Sequence, residues 1–276
     1  MNSQKTKEPN FPSGELKAHT AGDSGEAAHI KILTLSNPSA RNALGPEMYA
    51  AGIEAFNHAD SSADVRAVII TGEGSSFCAG GNLQRLQHNR SQPREVQSTS
   101  IDGLHAWIEA IRSCRKPVIA AVEGAAAGAG FSLALACDMI VSSREAIFVM
   151  AYSTVGLSPD GGGSWQLARN LPRQATTELL MTGDRINAER LHAWGVVNHL
   201  TEPGQALTGA LQLAEKLAAR APNVLASIKE LVSDAPEQTL NKHLSAERDA
   251  FVNNLHHPNG GEGIAAFLEK RKPKFL

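Results

Sequence analysis

VEGAAAGAGFSLALACD, residues 122–138, begins as a strand-like run, continues in glycine and alanine, and ends as an apolar, helix-like run. Because the corner carries so few side chains, its backbone amides are open to a bound group. Three kinds of site have a corner of this type: a dinucleotide-binding turn, a serine nucleophile elbow, and an oxyanion hole, in which two backbone N–H groups stabilise a developing negative charge.

A dinucleotide-binding turn requires the spacing G-x-G-x-x-G, in which the third glycine lets the helix pack closely on the strand. Residues 128–133, GAGFSL, supply only the first two glycines, and residues 72–77, GEGSSF, fail at the same place. Neither run has a suitable acidic partner for a ribose at the expected distance. An NAD-dependent oxidoreductase is therefore disfavoured. Absence of nicotinamide binding in a calorimetric titration would exclude it.

A nucleophile elbow requires the spacing G-x-S-x-G, because the strained turn that exposes the serine tolerates no flanking side chain. Residues 130–134, GFSLA, lack the final glycine. The helix-like run also continues directly from Ser132. This serine is therefore expected in the first turn of a buried helix, and no downstream histidine has the context of a triad member.

The composition is typical of a protein with a large buried core. The chain has 276 residues, of which 42% are hydrophobic and 20% charged, enough for one large or two modest domains. Lys and Arg number 26 against 28 Asp and Glu, so the net charge is −2, and no long basic run is present. We therefore expect no nucleic-acid partner.

Cysteine usage and hydropathy indicate a cytoplasmic protein. Cys78, Cys114 and Cys137 have no CxxC spacing, which argues against a disulfide framework and against a zinc site, and no metal is expected. The polar N-terminus has no apolar signal-peptide core, and no stretch approaches the ~18 apolar residues of a membrane span. No membrane partner is expected.

Apolar runs alternate with helical periodicity from His29 onwards, which predicts βαβ crossovers and an α/β fold with a mainly parallel sheet covered on both faces. The strand candidates lie at residues 29–35, 65–72, 116–124, 139–143 and 146–150. From residue 161 to the end, the sequence reads as helical apart from VVNHL at 196–200. We predict three regions: a flexible N-terminal tail and first strand at 1–28, an α/β core at 29–205, and a C-terminal helical region at 206–276.

An oxyanion hole needs a second bare corner, that is, a second strand-to-loop turn of small residues, because two N–H donors must converge on one oxygen. GEGSSFCAGGNL, residues 72–83, follows a predicted strand and is such a corner. Close packing of a helix on a sheet explains small residues at one corner, but explains two such corners less well. The oxyanion hole is therefore the favoured interpretation of residues 122–138.

The order and spacing of these motifs resemble the crotonase superfamily, the enoyl-CoA hydratase/isomerase family. The resemblance runs from about residue 30 to the end and rests on SNPSARNAL (36–44), FCAGGNL (77–83), KPVIAAVEGAAAGAGFSLALACD (116–138), GLSPDGGGSWQL (156–167) and FLEKRKPKF (267–275). It implies a crotonase (ClpP-like) spiral core of ββα units and a C-terminal helical region that mediates trimerisation. A homotrimer, or a hexamer made of two trimers, is the implied assembly.

The resemblance implies an acyl-CoA thioester as substrate, with coenzyme A as part of that substrate and no separate cofactor. In the family, two backbone amides hold the thioester carbonyl, and by motif position these belong to Gly81 and Ala129. An enolate or tetrahedral oxyanion would be stabilised by both donors, one of them reinforced by the start of a helix. The implied enzyme is a lyase or isomerase of fatty-acid or aromatic-acid metabolism.

The family's hydratases use two glutamates, and here those positions hold Ser132 and Tyr152. Neither residue is a carboxylate base, which places the chain near the branch with an aspartate instead of the glutamate pair. Asp160, in LSPDGGGSW, is the implied base for double-bond isomerisation or hydration. Helix N-capping by Asp160 is the structural alternative, because glycines and a helix follow it.

Two further groups complete the implied site. His105 is a second ionisable candidate, although a lone histidine on an amphipathic helix more often has a structural role. Tyr152 is expected to line the acyl pocket, with its hydroxyl available to a substrate or a water molecule. The predicted coenzyme A contacts are Arg41, Ala43, Gly81, Asn82, Leu83, Gln84, Phe267 and Lys270.

Two alternatives within the family stay open. Asp160 could act as a nucleophile in hydrolase- or dehalogenase-type chemistry, which would pass through a covalent acyl-aspartate. A noncatalytic member that binds acyl-CoA would also account for the two missing glutamates. The sequence resembles a group associated with oxepin-CoA ring opening in aromatic-acid breakdown, but motif spacing does not identify the acyl group.

Overall fold

The computed structural model describes residues 14–22 and 25–276, so residues 1–13 and 23–24 of the predicted region 1–28 lie outside the described residues. Nine strands occur in the described part: β1 Glu15–Thr20, β2 Ile30–Ser36, β3 Ala67–Gly72, β4 Val118–Val122, β5 Ala125–Ala127, β6 Met139–Ser143, β7 Ile147–Val149, β8 Arg185–Asn187 and β9 His199–Thr201. The division at residues 28/29 and 205/206 stays a prediction.

Eleven α-helices occur in the same described residues: α1 Pro46–Ser61, α2 Leu83–Asn89, α3 Arg94–Ser113, α4 Ala129–Ala136, α5 Gly163–Asn170, α6 Arg173–Thr182, α7 Ala188–Ala193, α8 Ala206–Ala218, α9 Pro222–Asp234, α10 Leu240–His256 and α11 Pro258–Leu268. Short 3-10 helices lie at Glu26–His29, Pro38–Ala40, Ser153–Val155 and Ala235–Glu237. None of the helices in this part of the chain is both long and apolar enough to cross a membrane.

The main sheet has six strands in the order β1-β2-β3-β4-β6-β9. Every neighbouring pair is parallel except β1 and β2, which are antiparallel. Residues on β3 face the two sides alternately: Val68 and Ile70 pack in a core with α1 and α3, while Ile69 packs with Ala210 and Ala214 of α8. Burial on both faces gives the near-continuous apolar runs that the sequence shows, and the predicted α/β class is confirmed.

A second, three-stranded sheet has the order β5-β7-β8 and stands beside the first. The expectation of helices alone after residue 161, apart from 196–200, is wrong here, because β8 pairs antiparallel with β7 through Ile186 and Phe148. Three residues are too few for a periodic pattern, so this strand forms because its partner is present. The strand expected at 196–200 begins later, at His199.

Candidate active site

The two bare corners lie side by side. Cys78 N–H donates to the carbonyl of Ala125 over 3.0 Å, and Ala127 N–H donates to the carbonyl of Cys78 over 2.8 Å. The loop after β3 therefore extends along β5 like a short strand. This pairing brings residues 79–81 next to the start of α4, so that two segments separated by almost fifty residues in the sequence form one surface.

Glycine is required where the corners touch. Gly80 has φ +89°, and a Cβ there would lie 2.6 Å from the carbonyl oxygen of Ala127 and 3.3 Å from the amide nitrogen of Ala129. A Cβ at Gly130 would lie 2.5 Å from the carbonyl oxygen of Cys78. Because these distances are shorter than van der Waals contact to backbone atoms that cannot rotate away, any side chain would separate the corners.

Two N–H groups at this junction are available to a ligand. Ala129 is the first residue of α4, so its N–H has no acceptor within the helix. At the other corner, the N–H of Gly81 belongs to the same peptide group as the carbonyl of Gly80. That carbonyl accepts from Leu44 N–H over 2.8 Å, which holds the peptide group in place. Among the described residues, no acceptor is present for the N–H of Gly81 or of Ala129. Such a pair can stabilise an oxyanion.

A cavity of about 390 Å³, called here the main cavity, adjoins both corners. Two larger cavities, about 510 Å³ beside Trp165 and about 600 Å³ beside Trp194, contain neither corner, so volume does not identify the site. The main cavity has an apolar wall and a few polar groups, as ligand sites generally do. Its apolar wall includes Leu83, Leu86, Ile101, Val155, Leu157 and Pro159, and its polar groups are Gln97, His105, Tyr152, Ser158 and Asp160.

Asp160 and Tyr152 form a hydrogen-bonded pair in the main cavity. The Tyr152 hydroxyl donates to Oδ1 of Asp160 over 2.6 Å. Burial, and then the negative charge of Asp160, raise the pKa of Tyr152 well above its ordinary value. The phenol therefore stays protonated at neutral pH and acts as a donor that fixes one carboxylate oxygen.

The N-capping role considered for Asp160 is wrong. The N-cap of α5 is Gly162, with φ +75°, and no side chain accepts a hydrogen bond at that helix start. The backbone of Asp160 is held instead, because its carbonyl accepts from Ser132 Oγ over 2.9 Å and from Gly163 N–H over 3.2 Å. The carboxylate is consequently positioned from both its backbone and its Oδ1 side.

Neither Ser132 nor Cys78 has the environment of a nucleophile. Ser132 is fully buried within α4, where an elbow would have exposed it, and its hydroxyl is engaged with the backbone of Asp160. Burial raises the pKa of the Cys78 thiol to about 12, so it is not a thiolate at neutral pH. The nucleophile-elbow interpretation thus fails in the structure as it does in the sequence.

The main cavity contains six of the residues singled out from the sequence. These are Gly81, Leu83, His105, Ala129, Tyr152 and Asp160, with His105 at an exposed position on α3. Asn82 is the N-cap of α2 and accepts from the N–H groups of Gln84 and Arg85. A catalytic role for His105 stays a prediction.

The other predicted coenzyme A contacts lie outside the main cavity. Arg41, with φ +51°, accepts from Ala79 N–H over 2.9 Å through its carbonyl and so supports the first corner. Ala43 is buried and Phe267 is 84% exposed on α11. The lining of the main cavity contains none of Arg41, Ala43, Asn82, Gln84, Phe267 and Lys270. Their part in binding coenzyme A stays a prediction.

Sequence reasoning missed Tyr49, which lies with Asp160 in a second, smaller cavity. The chain has two tyrosines, Tyr49 and Tyr152, and each lines a cavity that Asp160 also lines. No motif marks Tyr49, since it belongs to the buried face of α1. Within residues 14–22 and 25–276, no three His, Cys, Asp or Glu side chains form a cluster able to hold a metal.

Comparison with known proteins identifies relatives along nearly the whole chain. A family model described as Enoyl-CoA hydratase/isomerase matches residues 25–276. The chain is 34% identical over 247 residues to the 1,2-epoxyphenylacetyl-CoA isomerase of Escherichia coli (strain K12), covering 89% of this chain and 94% of the relative. It is 32% identical over 246 residues to the 2,3-dehydroadipyl-CoA hydratase of the same strain, with the same two coverages of 89% and 94%.

A solved structure supports the architecture directly. The crystal structure of an enoyl-CoA hydratase from Polaromonas sp. JS666 is 63% identical, with a TM-score of 0.92 over 95% of this chain and 100% of that one. The predicted crotonase fold is confirmed by this similarity. Two of the motifs that suggested the fold, residues 77–83 and 116–138, contain the two corners.

Proposed function

Because the chain belongs to the enoyl-CoA hydratase/isomerase family, we propose that it acts on acyl-CoA thioesters through an enolate-like intermediate, with Asp160 as the base. One observation carries the proposal: Gly81, Ala129 and Asp160 line the same cavity, and the two N–H groups have no acceptor among the described residues. These are the groups that polarising a thioester and removing a proton beside it require.

The proposed reaction begins when the thioester oxygen accepts hydrogen bonds from the N–H groups of Gly81 and Ala129. The carboxylate of Asp160 then takes a proton from a carbon of the acyl group, and the electron pair moves onto the thioester oxygen. Each such donor is worth roughly 3 kcal/mol to a transition state that carries an oxyanion. Return of the proton to a different carbon shifts the double bond.

Tyr152 is the proposed positioning residue for this base. Its hydroxyl bonds Oδ1 of Asp160, which leaves Oδ2 without a hydrogen-bond partner in the described part of the chain. A carboxylate held by one oxygen presents the other in a defined direction, as general-base catalysis requires. Ser132 contributes through the carbonyl of Asp160.

A single carboxylate favours isomerisation over hydration. The two-glutamate mechanism is not available to Ser132 and Tyr152, because neither has a carboxylate to activate water. One base can carry a proton between two carbons without a second acid. The relatives include both an isomerase and a hydratase by name, so both reactions belong in the test.

The cavity lining favours an uncharged acyl group. Of the described residues that line the main cavity, none is Lys or Arg, and His105 is the only basic side chain there. Asp160 adds a negative charge. A substrate with a distal carboxylate would therefore meet repulsion and no fixed cation, whereas a cyclic or aromatic acyl group would meet the aliphatic wall.

A panel of coenzyme A esters tests the proposal. We expect 1,2-epoxyphenylacetyl-CoA or an uncharged straight-chain enoyl-CoA to be turned over with kcat/KM at least about tenfold above that of 2,3-dehydroadipyl-CoA, since one unpaired charge easily costs the ~1.4 kcal/mol involved. Products are identified by mass spectrometry. Tight binding of every ester without turnover would instead establish a noncatalytic member, and a covalent acyl-aspartate on the intact protein would establish Asp160 as a nucleophile.

We also propose that the chain assembles as a trimer, or a pair of trimers, through its C-terminal helices. Large apolar side chains are exposed on α10 and α11, with Phe251 at 69%, Phe267 at 84% and Leu268 at 74%. Exposed apolar surface of this kind is typical of subunit interfaces. Light scattering should give a mass three or six times 29.3 kDa, and a monomer at micromolar concentration would contradict the assembly.

A further inference from the structure

A smaller cavity of about 40 Å³ lies next to the main cavity; we call it the inner chamber. Gly81, Ala129 and Asp160 line both cavities, so the inner chamber adjoins the proposed reaction centre itself. A buried water needs room for about one probe sphere, roughly 10–15 Å³, and two to four polar partners. The inner chamber has room for a water molecule and is too small for most of an acyl chain.

Six polar residues contribute to the lining of the inner chamber, together with apolar ones such as Leu44 and Leu104. Besides Asp160, these are Tyr49, Asn82, Arg85, Gln97 and Ser100. Arg85 also pairs with Glu47 over 3.5 Å, and the Glu47 side chain is 55% exposed, so a charged group at the outer end reaches solvent. Polar residues thus line the chamber both at the reaction centre and beside the exposed Glu47.

Tyr49 lines the inner chamber. Its ring is buried on α1 at 6.3 Å from the ring of Trp107, which restricts its position. Burial, and then the charge of Asp160, raise the pKa of Tyr49. The hydroxyl therefore remains a neutral donor and acceptor, and it lies within electrostatic range of the proposed base.

We propose that the inner chamber binds a water molecule that exchanges protons with the carboxyl group of Asp160. The inference rests on the proposed function of Asp160 as base. When Asp160 has taken a proton from the acyl group, that proton passes to the chamber water while a different proton returns from the water to the carboxyl. One proton leaves the carboxyl group and one returns, so the charge does not change. A hydrogen atom from the solvent is then delivered to the acyl group.

Loss of label from an α-deuterated saturated ester, hexanoyl-CoA, measures this exchange. In ordinary water the wild type should release the label, and mass spectrometry follows the rate. Ser100→Leu fills the inner chamber without altering the lining of the main cavity. We expect label release to fall about tenfold, which is less than the ~10²-fold or more expected for loss of the base itself.

Two variants accompany this measurement. Ser98→Leu makes the same change at an exposed position of α3 that lines neither cavity, and it should release label at the wild-type rate. Tyr49→Phe keeps the ring beside Trp107 and removes only the hydroxyl, and it should slow release several-fold. Thermal melting and calorimetric binding of hexanoyl-CoA show whether each variant is folded and binds normally.

The outcomes separate this inference from the proposed function. If Asp160→Asn stops label release while Ser100→Leu and Tyr49→Phe release it at the wild-type rate, the chamber inference is wrong and the base assignment stands. If the wild type binds the ester and releases no label, the chamber inference is wrong, and the base assignment is then decided by the loss of turnover in Asp160→Asn. If Ser100→Leu weakens binding instead, the chamber holds the end of the acyl group. A crystal structure of the wild type should show water in the chamber, and its absence there would contradict the proposal.

Discussion

Replacing Asp160 by asparagine should lower kcat by about 10²- to 10⁴-fold, the range attributed to a positioned general base, with little change in KM. Asparagine has nearly the same shape, and its amide oxygen can still accept the hydrogen bond that Tyr152 donates over 2.6 Å. The carbonyl bond from Ser132 is also kept. Only the ability to take a proton is lost, so steady-state kinetics with the best ester of the panel isolates that step.

Tyr152→Phe is the matched variant for this experiment. It keeps the carboxylate and removes the donor that orients it, so kcat should fall by about tenfold, as expected for the ~1.5 kcal/mol of a hydrogen bond to a charged group. The effect is thus smaller than that of Asp160→Asn. A fully active Asp160→Asn enzyme would show that the carboxylate takes no part in the reaction.

Gly80→Ala should lower kcat by about 10²- to 10³-fold, as much as the loss of one oxyanion donor. The new Cβ would lie 2.6 Å from the carbonyl oxygen of Ala127 and 3.3 Å from the nitrogen of Ala129. Backbone atoms cannot rotate away from it, so the corners must separate and the N–H groups of Gly81 and Ala129 no longer converge. Kinetics and thermal melting are measured on the same preparation.

Gly74→Ala is the control for backbone strain. Gly74 lies in the same loop with φ +75°, close to the +89° of Gly80, but a Cβ there meets nothing within 4 Å. This variant should lose about 1 kcal/mol of stability, the cost of a left-handed conformation for a residue with a side chain, and keep its kcat. Equal losses of kcat in the two variants would show that strain, and not the junction of the corners, is responsible.

Four strands of the main sheet could be predicted because they are at least five residues long and largely buried. The runs that became β2, β3, β4 and β6 are apolar and end at turn residues, which distinguishes them from the helices between them. β5 and β8 carried no such signal. β5 is three alanines, a residue depleted in strands, and it is extended because β7 and Cys78 pair with it.

The site was predictable where backbone chemistry requires particular residues. Gly80 and Gly130 are bare because the corners touch, and this requirement is visible in the motifs that led to Gly81 and Ala129. The bond between Tyr152 and Asp160, and the inner chamber behind Tyr49, depend on side-chain directions in three dimensions. No spacing rule encodes them, and for the same reason the sequence left N-capping of α5 by Asp160 open as an alternative.

The central claim is that Asp160 removes a proton from the acyl group of a thioester held by Gly81 and Ala129. Release of α-deuterium from hexanoyl-CoA, compared between the wild type and Asp160→Asn, tests it most directly, because no deuterium can leave the ester unless the base has removed it. The account predicts steady release by the wild type and retention of the label by Asp160→Asn. Release at equal rates by the two proteins would contradict it.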